Sequence, residues 1–236
     1  LRAPFVNNRI DPALYNKAAL NITARLPKTD NPCGEIFIGR RAIQNDWQSV
    51  GRVDFQQSNK NSIFGRYIIT RYTEDPPINY DPNPLNAGTA GIDNLAQAFT
   101  IGNTYLVSAN MVQSLRLAAN RIAVHRYGLP FFGYQDVGIK MYEYVPHYLQ
   151  IPVTGGFTLG SGSGGDTFVN TASFQAVDDM SLVRGNHQYA WGANLAFADS
   201  NLITRFFAVG RLPFTGQQTG LGMSDFMAGR ITNFTQ

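Results

Sequence analysis

The run from Ser181 to Phe197, SLVRGNHQYAWGANLAF, constrains the fold more than any other part of the chain. From Gln188 onward it alternates. Tyr189, Trp191, Ala193, Leu195 and Phe197 share one parity; Gln188, Ala190, Gly192, Asn194 and Ala196 share the other. Successive side chains of a strand point to opposite faces, so one face is apolar and aromatic and the other small or polar. A soluble sandwich buries large aliphatics on an inward face. A membrane barrel turns large apolar and aromatic groups to lipid and keeps small polar ones inside. The second pattern is the one written here.

The plan recurs along the chain. Trp47, Ser49, Gly51, Val53 and Phe55 oppose Gln48, Val50, Arg52 and Asp54, and Ser58 to Asn61 reads as a tight polar turn. Ile63, Tyr67 and Ile69 follow on one parity, with Phe64 and Ile68 intruding on the polar one. Phe99, Ile101, Tyr105 and Val107 alternate with Thr100, Gly102, Thr104 and Ser108; beyond a turn at Ser108 to Asn110, Met111, Leu115, Leu117 and Ala119 oppose Val112, Ser114, Arg116 and Asn120. A third pair spans about Asn170 to Phe197, turning at Arg184-Gly185-Asn186, with Asp178 an exception on the apolar parity. Strand patterning is expected again around Leu202 to Val209 and near Phe226 to Phe234. Asp11-Pro12 is a helix start, which predicts a short helix to about Arg25.

Long breaker-rich connections separate the pairs, from Thr73 to Asp93 and from Tyr127 to about Thr167. The second holds the aromatic patch MYEYVPHY and the Gly/Ser-rich TGGFTLGSGSGGDT, whose segment 155–165 reads as a flexible loop. Strand, short turn, strand, long loop, three times over, predicts an all-β fold. The expectation is an antiparallel up-and-down transmembrane β-barrel segment, an incomplete barrel of about six to eight strands, with long outer loops and a short N-terminal helix. Residues 1–45 form an irregular segment leading into the barrel, and 46–236 the partial barrel. The short turns belong on the periplasmic side.

Composition agrees. Charged residues are 15% of the chain, against ~25% in soluble domains, while glycine (23 residues) and aromatics (12%) are plentiful. The net charge of +3 is scattered, with no basic cluster of the kind nucleic-acid binding needs. Cys33 is the only cysteine, which excludes an internal disulfide and a cysteine-based metal cage. The uncharged stretches Asn94 to Leu115 and Tyr144 to Gly165 are too broken by polar residues to be spanning helices, so if the protein spans a membrane it does so with strands. Leu1 to Ile10 shows no secretory signal and no initiator Met, so the chain reads as a mature or internal segment.

Enzyme motifs are absent: there is no G-x-S-x-G or H-E-x-x-H, and the Gly-rich run lacks the Lys-Ser/Thr of a phosphate-binding loop. Neither a catalytic residue, a metal site nor a cofactor is expected. His125, His147 and His187 stand far apart, and Asp178 and Asp179 point to opposite faces. Binding candidates fall in two groups. Arg52, Asp54, Arg66, Arg116 and Asn120 lie on the polar parity and would line a lumen, facing a plug or a solute. Tyr142, Tyr144, His147 and Tyr148, with Asp136 and Glu143 near in sequence, could stack on a flat or sugar surface. Arg121 breaks the parity rule and is placed near the rim, because a lipid-facing arginine at the midplane costs roughly 2–4 kcal/mol.

The blocks PFVNNRIDP, QSVGRVDFQQSNKNSIFGRY, TYLVSANMVQSLRLAANR, VRGNHQYAWGANL and TGLGMSDFMAG resemble, in order, successive blocks of the Oar-like TonB-dependent receptors. Arg52-Val53-Asp54, Phe64-Gly65-Arg66-Tyr67, Asn120-Arg121, Arg184-Gly185-Asn186-His187, Gly192 and Asp225-Phe226 hold the matching positions. The chain departs at Gln113-Ser114, where the family tends to Asn-Glu, and at Ala118-Ala119, where it has a Gly-aromatic pair. The resemblance implies the outer membrane of a Gram-negative bacterium and energised import of a bulky nutrient, a metal chelate or a glycan. It implies as partners outer-membrane lipid, a plug domain, the remaining barrel strands, the TonB complex reached through an N-terminal part, and the small-molecule or glycan solute. Barrels of this family have about twenty-two strands, so the chain corresponds to an early to middle part. It ends in Gln236 and not in a terminal aromatic. Two other classes stay open: a β-rich surface adhesion or binding module without transport, and a secreted glycan-active enzyme, against which the missing acid/base pair argues.

Overall fold

The computed structural model describes Phe5 and residues 9–236. The N-terminal half of the PFVNNRIDP block lies largely outside the described residues. Six long strands form one antiparallel sheet: β1 (Gln44–Ser58), β2 (Asn61–Glu74), β3 (Gly91–Ser108), β4 (Met111–Tyr127), β7 (Thr167–Arg184) and β8 (His187–Thr204). Their spatial order is β1-β2-β3-β4-β7-β8; a two-residue pair, β5 (Ile151–Pro152) and β6 (Thr158–Leu159), forms a second small sheet. The long strands run 14 to 18 residues, more than the ~9–11 a tilted strand needs to cross a bilayer. Each is therefore long enough to cross a bilayer and extend past it.

Three two-residue turns join β1 to β2, β3 to β4 and β7 to β8, where the breaker residues placed them. Register shifts at Gln56/Ser58 and Leu106/Ser108 absorb the first two turns without any positive φ. The third uses Gly185 at φ 61°. All other connections leave the sheet at the opposite end.

Pairing register carries the alternation from strand to strand, so each face is continuous. Val53, Gly65, Ile101, Leu117, Ala176 and Leu195 form one transverse row, and Gly51, Tyr67, Phe99, Ala119, Phe174 and Phe197 the next. No described residue covers this face: Leu195 is 73% exposed and Phe197 64%. The two edges, β1 and β8, are not paired with each other, so the sheet is an open wall.

The buried core lies outside the sheet. Ile22, Tyr134, Val137, Leu149, Ile151, Leu159, Phe214 and Phe226 pack together in a cap at the loop end. It is built from the N-terminal segment, the β4–β7 connection and the chain after β8. Leu212 N–H donates to Gln150 O at 3.0 Å and Phe214 N–H to Pro152 O at 2.9 Å, adding a strand-like segment beside β5. In the N-terminal segment α1 (Lys17–Thr23) buries Ala19 and Ile22 against this core.

Three expectations change here. The helix expected from Asp11 to Arg25 is split into a 3₁₀ turn (Pro12–Leu14) and α1, because Asn16 starts afresh as an N-cap, accepting from Ala18 N–H and Ala19 N–H. No strand covers Phe226 to Phe234; α2 (Gly222–Met227) stands there, and β8 ends at Thr204, short of Val209, which is buried in the cap. The Gly/Ser-rich segment is packed and not a loose loop. Gly160, at φ 62°, lies so close to the Leu149 carbonyl that a Cβ would collide with it, and Gly165 abuts the Arg205 carbonyl in the same way.

Candidate functional site

β1, β2 and β4 carry the five candidates on one polar face, with β3 between the β1–β2 group and the β4 pair. Arg52 forks Asp54, with Nε 2.8 Å from Oδ2 and Nη2 2.7 Å from Oδ1, and its guanidinium lies 4.4 Å over the Phe64 ring. Arg66 stands directly opposite Arg52 in the register. Like charges in that position repel, and the Asp54 carboxylate offsets this. Arg116 shares a row with Asp54, Phe64 and Gly102, and Asn120 Nδ2 donates to Ser173 Oγ at 3.3 Å. Phe64, which intrudes on the polar parity, lies flat over Gly102, where any Cβ would meet its ring. Its role is to fill the space that the glycine leaves. The result is an exposed face that carries three arginines and one partnering aspartate, bounded on the β4 side by β7.

The four loop candidates part company. Tyr142 (71% exposed) and Tyr144 remain on the surface, the latter 6.0 Å under the Arg205 guanidinium. Tyr148 is 1% exposed; its hydroxyl donates to Ala87 O at 2.7 Å and accepts from Ser161 N–H at 3.1 Å. That burial ties the β4–β7 connection to the β2–β3 connection and takes Tyr148 off any ligand-facing surface. His147 is the one non-glycine residue among those described with a positive φ (55°). Its Nδ1 lies 2.8 Å from Asp136 Oδ2, which also accepts from Gly133 N–H at 2.7 Å. Glu143 Oε1 accepts from Gln135 N–H at 2.6 Å. The acids near His147 thus brace their own loop.

Two residues that alternation could not single out organise the cap. Tyr134 is fully buried; its hydroxyl donates to Gly210 O at 2.8 Å and accepts from Gln150 N–H at 2.9 Å, and burial pushes it up to about 12. Asp225 accepts from Thr219 N–H at 2.7 Å and Gln218 N–H at 3.1 Å. Burial works to raise its carboxyl, but these donors prevail and hold it below the usual carboxylate range. The Asp225-Phe226 block was the sequence signal for Asp225, and Tyr134 had none.

A family model for the outer membrane beta barrel domain matches residues 1–236, the whole chain. The chain belongs to the outer membrane beta barrel domain family. No curated protein and no solved structure matches it. In an outer-membrane barrel domain the apolar rows face lipid and the polar patch faces the interior. The cap, opposite the tight turns, then lies on the side of the long extracellular loops.

The cap carries a pH dependence. Hydrogen bonding to Asp136 raises the His147 imidazole, and Asp136 is lowered, first by Gly133 N–H and then by His147. The His147 contribution is complete below its unfolded value of about 6.5 and is lost as pH rises through the raised folded value. The Asp136 contribution is lost in the opposite sense, as pH falls through its lowered value, below about 4. Hydrogen exchange across Gly133 to His147 is therefore expected to quicken above neutral pH beyond its intrinsic pH dependence. In His147→Gln that excess should vanish; an excess of equal size in both proteins would refute the linkage.

Proposed function

We propose that this outer-membrane barrel domain is a wall-and-loop segment of an Oar-like TonB-dependent receptor that imports a bulky nutrient, a metal chelate or a glycan, across the outer membrane of a Gram-negative bacterium. The observation that carries the reading is the gathering of Arg52, Asp54, Arg66, Arg116 and Asn120 on one inward face. Exposed arginines in two adjacent rows fit a lumen that meets a plug or an anionic solute. The ordered blocks shared with the Oar-like receptors support the same reading, as does the compact cap at the extracellular end.

In this reading the remaining strands of the barrel pair with β1 and β8, the plug meets the polar face, and energy arrives from the TonB complex through the N-terminal part of the whole protein. Catalysis has no place in it. The test is uptake by cells expressing the intact protein, supplied with a panel of ferric chelates and oligosaccharides, with and without a proton-motive force. Accumulation that needs both the protein and an energised inner membrane is the expected result. Uptake that persists after the gradient is collapsed would mean a passive pore and end the transporter reading. The cap also favours a second reading, adhesion, because it holds its own buried core and presents Tyr142 and Tyr144 outward. Surface binding of a solute without accumulation would support that alternative.

A further inference from the structure

The outward face does not stay apolar along the full strands. Near the tight turns Asn103, Gln113 and Asp178 interrupt it, Gln113 Nε2 donating to both Asp178 carboxylate oxygens at 3.0 Å; above them the face is apolar until Arg71 on β2, Gln97 on β3, Arg121 on β4 and Asp199 on β8. Gln97, Arg121 and Asp199 belong to one register row. From Met111 to Arg121 the strand climbs roughly 25 Å at the tilt usual for such barrels, which is about the height of their apolar belt. Arg121 thus stands where hydrocarbon ends and the outer headgroups begin.

Its neighbours leave it without an acid. Arg71 holds Asp93 at 2.8 Å, and His125 Nε2 lies 3.2 Å from Asp166. Gln97 spends its amide on Tyr67, donating to the hydroxyl at 2.6 Å. Asp199 is two strands away, about 10 Å, and makes no ion pair with it. Arg121 is exposed, and among the described residues it forms no ion pair. A cleft of about 510 Å³ begins in the same row at Ile69 and extends away from the membrane between Trp47, Arg71, Asp93, His125, Phe168 and Asn170, with Leu95 and Ala123 on its floor. Trp47 offers an aromatic wall, the His125 and Phe168 rings stack at 4.3 Å, and Arg71, Asp93 and Asn170 offer donors and acceptors among the apolar Ile69, Leu95 and Ala123.

We propose that Arg121, with this cleft above it, binds the phosphate-bearing headgroup of an outer-leaflet lipid. The inference rests on the reading that the apolar rows face lipid. A guanidinium presents a planar fork that matches two phosphate oxygens. The acyl chains lie along Phe99, Leu117 and Phe174 below, and the polar remainder of the headgroup enters the cleft. A free phosphate ion gains only the guanidinium, so the lipid is the better occupant.

The test uses the intact protein in a neutral detergent, with thermal unfolding followed as phosphatidic acid, diacylglycerol or inorganic phosphate is added. Phosphatidic acid is expected to raise the midpoint, and the other two are not. Arg121→Gln should weaken the half-saturating concentration roughly ten- to a hundredfold, Arg121→Lys should retain part of the effect, and Lys140→Gln in the cap should behave as the parent. Equal protection by inorganic phosphate, or an unchanged response in Arg121→Gln, overturns the site. Quenching by brominated acyl chains, taken as the difference between the intact protein and its Trp191→Phe variant, separates the two levels. Absence of quenching defeats the lipid-facing assignment itself, whereas quenching with a silent Arg121→Gln defeats the headgroup site alone.

Discussion

Leu117→Arg is expected to destabilise the folded domain in a bilayer by about 2–4 kcal/mol, whereas Ser114→Arg, on the same strand, should cost about 0–1 kcal/mol. Leu117 lies near mid-height on the apolar face of β4, between Ile101 and Ala176. An arginine there must carry its charge into hydrocarbon or bend away to reach water. Ser114 has the opposite parity and stands across from Asp179 of β7, so an arginine there gains an acidic neighbour on the polar face. Urea unfolding of the two variants of the intact protein in lipid vesicles measures the difference directly. Similar costs at both positions would mean that the two faces are solvated alike, and the membrane orientation would be wrong.

Tyr134→Ala should lower the stability of the cap by about 3–5 kcal/mol, the range for deleting a buried aromatic. Tyr134→Phe removes only the hydroxyl and should cost about 1–3 kcal/mol, because Gly210 O and Gln150 N–H lose a partner in a site closed to water. The damage should be local. The cap has its own core, and the sheet is held by strand pairing, so hydrogen exchange is expected to speed up across residues 130–165 and 205–228 while β2, β3 and β4 stay protected. Loss of protection throughout the sheet would show that cap and wall fold as one unit.

These two substitutions probe parts of the molecule that were unequally visible in the sequence. The wall was legible because alternation is a local signal: Tyr189 to Phe197 alone defines two faces, and Asn59-Lys60, Ala109-Asn110 and Gly185-Asn186 mark the turns. The polar candidates were legible for the same reason, since parity places Arg52, Arg66 and Arg116 on one side whatever the barrel encloses. The cap was not. Its core takes Ile22 from α1, Tyr134 and Leu149 from the β4–β7 connection, and Phe214 and Phe226 from beyond β8. No window of the sequence contains more than a fragment of that set, and no period links its members. Glycine misled for a related reason: in 155–165 it signals chain freedom locally, yet Gly160 and Gly165 are needed because other backbone lies against them.

Alternation, short turns and low charge were sufficient by themselves to determine an antiparallel, two-faced transmembrane wall, because strand parity and turn chemistry act between near neighbours. Only the tertiary structure decided that the long connections fold into a cap, that Tyr148 is buried while Tyr142 and Tyr144 stay outside, that Asp136 braces His147, and that Arg121 stands unpaired below an aromatic cleft. Each of these depends on contacts between segments far apart in the chain, whose free energy is gained only when the whole loop end assembles.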